Sequence, residues 1–138
     1  MYLNNFAIDQ NGQPVGVDMT KAEFKNCIIY GNNDNELELE FEAGVLANHN
    51  FRNCIIKADN TTPTTDILHF ESIYRNNDPQ FKNTFDNNLK LDTLAFAREK
   101  GNPLFINFSA IPPMNIDIDA VSRPTGGTNP DLGAYERD

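Results

Sequence analysis

Cationic side chains are scarce in this 138-residue sequence: 11 Lys and Arg stand against 20 Asp and Glu, a formal charge of −9. A nucleic-acid surface needs clustered Lys and Arg to neutralise phosphates, and an anionic bilayer attracts polybasic segments, so the balance argues against both partners. No apolar run approaches the roughly 18–20 residues of a transmembrane helix. The opening Met1-Tyr2-Leu3-Asn4-Asn5-Phe6 has neither the basic nor the apolar stretch of a secretory signal. Cysteine is nearly missing: Cys27 and Cys54 are too few for a disulfide scaffold, and their spacing fits no zinc motif. No nucleophile elbow, P-loop or dinucleotide fingerprint is found. What is abundant is Asn, at 20 residues, beside ten Phe. Asn is poor inside helices and tolerates left-handed backbone, so the composition predicts a folded, acidic, turn-dense all-β chain of one domain.

The strongest pattern is a repeat. Phe24-Lys25-Asn26-Cys27-Ile28-Ile29 recurs as Phe51-Arg52-Asn53-Cys54-Ile55-Ile56, shifted by 27 residues. Leu3-Asn4-Asn5-Phe6-Ala7-Ile8 reads as a weaker third copy. Periods of about 20–50 residues mark solenoids, propellers or arrays. Between the copies lie an Asn-rich turn at 31–35 and the alternating Glu36-Leu37-Glu38-Leu39-Glu40-Phe41-Glu42, which reads as a half-buried strand. Asp66 to Glu71 repeats the plan, a further strand is expected around Asn88–Asp92, and Leu94 to Lys100 fits a helical turn or two stopped by Gly101.

Units of strand, turn, strand and loop, with no amphipathic helix between them, predict a short parallel β-solenoid of three to four coils with a C-terminal cap. Residues 1–92 form the coils in this reading, and 93–138 an irregular capping segment of the same domain. In register, Phe24 stacks on Phe51, Cys27 on Cys54 and Ile29 on Ile56, all inward, with Ile28 and Ile55 facing the other way. Asn26 and Asn53 sit at a left-handed bend. Free stacked thiols are the preferred reading, and a disulfide between adjacent coils the competing one.

The motif at 24–32 resembles a coil of the right-handed parallel β-helix proteins, the pectate-lyase-like superfamily. Asp78-Pro79-Gln80-Phe81, the stretch from Asn88-Leu89-Lys90-Leu91 to Gly101-Asn102-Pro103, and Asp117 to Arg123-Pro124 followed by Asp131-Leu132-Gly133-Ala134-Tyr135-Glu136 are similar to the closing part of secreted and surface bacterial members. The chain departs from them at Leu94 to Arg98 and at Ala120. The resemblance makes the solenoid a right-handed parallel β-helix. It also implies an extracellular or cell-surface location, polysaccharide as a partner, and a chain covering only the C-terminal part of a longer β-helix protein. It leaves two functions: a non-catalytic portion, structural or glycan-binding, or the C-terminal part of a polysaccharide lyase or glycoside hydrolase whose catalytic coils lie upstream.

Catalysis on such a fold needs carboxylates on neighbouring rungs, with a stacked Arg or Lys in lyases. No catalytic residue is assigned. The outward Glu36, Glu38, Glu40 and Glu42 read first as a solvated face that blocks edge pairing; in the competing reading Glu38 and Glu40, with His69 and Glu71 one coil above, are the candidate ligand-binding residues. Ca2+ is the one cation to consider, at Asp117, Asp119 and Asp131; the competing role for that region is an Arg123–carboxylate pair. Tyr30 and Tyr74 are candidates for a sugar-stacking strip, and His49 reads as a surface loop residue. The segment from Asp117 to Glu136 is expected to cover the upper edge of the stack, using Pro112, Pro113, Pro124, Pro130 and Gly126-Gly127 to leave the ladder. The edge near Tyr2 to Ile8 is expected to stay open and to offer a site for self-association.

Overall fold

In the computed structural model, which describes residues 1–106, 113–124 and 128–137, ten short strands are set among turns. They are β1 (Tyr2–Asn4), β2 (Phe6–Ile8), β3 (Pro14–Gly16), β4 (Met19–Lys25), β5 (Ile28–Ile29), β6 (Glu38–Glu40), β7 (Ala47–Ile56), β8 (Phe70–Arg75), β9 (Phe81–Asn83) and β10 (Asn88–Leu91). A 3-10 turn spans Pro103–Phe105, and the expected helical turns at Leu94 to Lys100 are a run of non-helical turns.

The repeat builds the largest sheet. β7 lies at its centre, with β4 and β5 along one edge and β8 along the other, all parallel to it. Phe24 pairs with Phe51, Ile28 with Ile55 and Ile29 with Ile56, the 27-residue shift of the motif. Beyond β7 the register continues as Phe51 with Phe70 and Cys54 with Ile73. Each run is bent at the same place by a left-handed residue: Asn26 (φ 53°), Asn53 (φ 50°) and Ser72 (φ 56°). In a plain strand Phe51 and Cys54, three apart, would face opposite ways; the bend returns both to one side. That side is a core of Leu37, Phe51, Cys54, Ile56, Ala58 and Phe70. The rings of Phe24, Phe51 and Phe70 stack at 4.7 Å and 5.3 Å. Cys27 and Cys54 are free thiols. The bond with Cys27, and after it burial, push the Cys54 thiol up, so it stays protonated.

The other face of β7 is also dry. Ile55 is fully buried beneath Leu91, Ala95, Ala97 and Leu132. The C-terminal segment therefore lies across a sheet face and is not an end cap. Asn26 explains the placement: its Oδ1 accepts from Asn102 N (2.8 Å) and its Nδ2 donates to Asn102 O (3.0 Å). Gly133 N donates to Asn26 O at 2.9 Å, and a Cβ on Gly133 would meet Ile28 at 2.9 Å, so a glycine lets the backbone approach. Pro112 and Gly126-Gly127 fall outside the described residues.

Elsewhere the strands pair in small separate sheets. β1 pairs with β6 in parallel, while β2–β3 and β9–β10 are antiparallel. The class is all-β, but the sheets are separate and unclosed, and the expected right-handed parallel β-helix is not formed. The physical reason is pairing. A coil needs every stretch of the repeat to find its counterpart in the next unit, and only residues 19–29, 47–56 and 70–75 do so. The alternating stretch around Glu38–Glu40 pairs with Tyr2–Asn4 instead. Asp66 to His69 is a turn, closed by His69 N and Phe70 N donating to Asp66 O, where a strand was expected. The supposed copy at Leu3 to Ile8 is split between β1 and the β2–β3 hairpin, so the edge expected to stay open has partners within the chain.

Candidate functional site

A groove of about 410 Å3 lies where the end of β5 meets the β9–β10 hairpin. Tyr30, Gly31 and Asn32 line it from one side, and Asp78, Gln80, Phe81, Thr84 and Leu89 from the other. The far wall is built by local hydrogen bonding. Asp78 Oδ1 accepts from Gln80 N at 2.8 Å, Pro79 is buried beneath it, and Gln80 takes a left-handed φ of 60°. Gln80 Oε1 accepts from Phe96 N at 2.6 Å, which ties the hairpin to the C-terminal segment and leaves the amide NH2 to donate.

The groove carries one carboxylate and no cationic side chain in its lining. Lys57 stands beside it, donating to Gly31 O at 3.1 Å with its ammonium 5.3 Å from the centre of the Tyr30 ring. Desolvation, helped by the Asp78 charge, pushes the Tyr30 phenol above its ordinary value, so its hydroxyl keeps a proton to donate. Two aromatic rings, an amide on each wall, a carboxylate and the Thr84 hydroxyl therefore share one open cleft.

Apart from Tyr30, the candidates read from sequence are placed elsewhere. Glu38 and Glu40 lie on β6 beside β1, where the Tyr2 hydroxyl donates to Glu40. Glu71 is on β8, paired with Arg52 at 3.2 Å, and His69 precedes that strand. Glu38 and Glu40 thus share one small sheet, Glu71 belongs to another, and His69 lies in the turn before it. Tyr30 lines the groove, whereas Tyr74 packs edge-on against Phe96, 5.5 Å away. His49, read as a surface loop residue, is buried in β7.

Asp117, Asp119 and Asp131 occupy a clasp in the C-terminal segment. Asp117 accepts from the backbone N–H groups of Asp119, Val121 and Glu136, and Asp131 from those of Glu99 and Arg137. Asp119 pairs with Lys90. Burial raises Asp117, but the three N–H donors outweigh it and hold the carboxyl below its ordinary value. Arg123 donates to Glu136 Oε2 at 3.1 Å and to the carbonyls of Asp131 and Gly133. Glu136 is still pushed up to about 7, first by burial and then by the charge of Asp131. Among the described residues, no three His, Cys, Asp or Glu side chains are grouped to hold a metal ion.

The groove was not legible as a site because its residues come from two turns 46 or more positions apart (Asn32 to Asp78), with no period to link them. Tyr30 and the Asp78-Pro79-Gln80-Phe81 motif were the available signals. No helix of the described residues is long and apolar enough to cross a membrane. Comparison with protein-family models, with curated proteins and with solved structures gives no match, so the pectate-lyase-like resemblance stands on the sequence motifs alone.

Proposed function

We propose that the chain is a non-catalytic, glycan-binding portion of a secreted or cell-surface protein, and that the Tyr30–Phe81 groove receives a neutral sugar chain. The observation that carries this reading is the make-up of the groove: two aromatic rings with Asn32, Asp78, Gln80 and Thr84 around them. Aromatic rings stack on the C–H faces of pyranose rings, and sugar hydroxyls need side chains that both donate and accept. Asp78 in the lining disfavours uronates and sulfated sugars. The location outside the cell follows from the resemblance of the Asp131–Glu136 ending to secreted and surface proteins. The non-catalytic reading is supported by the position of Glu38 and Glu40, whose neighbouring strand β1 (Tyr2–Asn4) offers no basic side chain.

Affinity electrophoresis tests the proposal. Migration of the purified chain is expected to be retarded in gels containing a neutral β-glucan, mannan or xylan, and not in polygalacturonate. Phe81→Ala or Asn32→Ala should weaken the retardation at least tenfold. Retardation by none of the neutral polymers, or only by polygalacturonate, would overturn the glycan reading. Release of new reducing or unsaturated ends by the chain, abolished in Glu38→Gln, would overturn the non-catalytic one.

A further inference from the structure

The chain has two histidines, and they lie face to face. His49 on β7 and His69 just before β8 have ring centroids 4.0 Å apart and planes within 5° of parallel. His49 Nδ1 is 2.9 Å from Ala47 O, and His69 Nδ1 is 2.8 Å from His49 O. A carbonyl oxygen only accepts, so each Nδ1 carries a hydrogen, and in the neutral rings each Nε2 is the bare nitrogen. Any further proton must therefore enter at Nε2 of one of two stacked rings.

The surroundings of His49 are apolar. It is 5% exposed, with the rings of Phe41, Phe51 and Phe70 at 4.8, 6.2 and 6.5 Å. On the β4 side its register partner is Ala22. The titratable groups that act on it are His69 and, in the turn before β8, Asp66, whose carboxylate lies 3.9 Å from His69 Nε2. Among the described residues, no carboxylate accepts from His49 itself.

We propose that the stacked imidazoles form an acid-sensitive joint between β7 and β8, which stays closed while His49 is neutral and opens when His49 takes up a proton. An imidazolium at His49 would sit in a dry aromatic pocket, pressed against a second imidazole ring 4.0 Å away. Desolvation, joined by the His69 charge, holds His49 below its ordinary value of 6.5 in spite of the Ala47 carbonyl and Asp66. The sign follows from that direction. A histidine depressed in the folded state contributes stability that is full above 6.5 and is lost as pH falls toward its folded value.

Farther along β7 and β8 the seam is held by its ladder, the Phe51–Phe70 stack and the Arg52–Glu71 pair, so the weak part is the turn that carries His69. Phe51 N donates to His69 O at 2.8 Å, and the turn is held by Asp66, but Ile67 and Leu68 within it are 84% and 75% exposed and bury almost nothing. The joint is on the core side of the sheet and does not depend on the groove or its ligand.

Hydrogen exchange of the Phe51 and Phe70 amides, converted to opening constants between pH 7.5 and 5, tests the joint. The expected result is an opening constant that rises by up to about tenfold per pH unit below 6.5 in the native chain and stays flat in His49→Phe. An opening constant independent of pH in the native chain, or an equal rise in His49→Phe, would overturn the proposal. Should His49→Phe not fold, the native His49 Cε1–H resonance decides. A titration of that proton without any rise in opening would contradict the joint; a shift that follows opening would support it.

Discussion

Three residues that share one lateral position, Asn26, Asn53 and Ser72, hold the left-handed backbone that sets which side chains enter each core. A side chain with a β-carbon pays about 1–2 kcal/mol in that region, less for Asn, whose amide bonds locally. Asn53→Ala is therefore expected to lose about 1 kcal/mol, and Asn53→Gly to stay close to the native chain in urea unfolding. Asn26→Gly should be the worse of the two glycine variants, because Asn26 also exchanges two hydrogen bonds with Asn102. Glu136 supplies a prediction of different kind. Its folded value of about 7 lies above the ordinary 4.5, so its contribution is full below 4.5 and is lost as pH rises through 7. The melting temperature of the native chain is expected to fall between pH 6 and 8 relative to Glu136→Gln. Equal slopes for the two proteins would contradict the burial assigned to that carboxylate. Glu136 and His49 act in opposite directions with pH, so the joint is read by local exchange and not by global melting.

β7 is the element on which both cores depend, Phe51, Cys54 and Ile56 on one face and Ile55 on the other. Leu132→Ala empties the fully buried cover of Ile55 and should cost about 2–5 kcal/mol, with earlier protease cleavage within residues 93–137 than within β7. Cys54→Asp places an unpaired charge in the dry Phe51–Phe70 side and should unfold the chain. Wild-type melting of that variant would refute the placement. The pairing of these strands was legible because five identities recur at one spacing. The third strand was missed because β8 follows after only 19 residues, carries Ser72 where the others have Asn, and replaces Cys54 by Ile73. Its place was given to Leu3 to Ile8, whose Asn-Asn-Phe composition imitates the motif while Asn5 is used otherwise, donating its amide to Val45 and Leu46 carbonyls. The alternation at 36–42 named a strand correctly at its centre, but alternation carries no information about which partner a strand will choose.

At the scale of the molecule, separate small sheets are held together by side chains and turns. The C-terminal segment joins several of them: Arg137 donates to Leu91 O at 2.7 Å, Gln80 receives Phe96 N, and Gly101 N donates to Pro130 O. This arrangement leaves the Tyr30–Phe81 groove open between two turns that the sequence keeps far apart. Its chemistry, visible only once those turns meet, is what the glycan-binding proposal rests on. Titrating the 15N-labelled chain with a neutral oligosaccharide retained in the gel assay tests that link most directly. Shifts confined to Gly31, Asn32, Gln80, Phe81, Thr84 and Leu89, and abolished by Phe81→Ala, are the predicted result. Shifts centred on Glu38, Glu40 and Glu71 would contradict it.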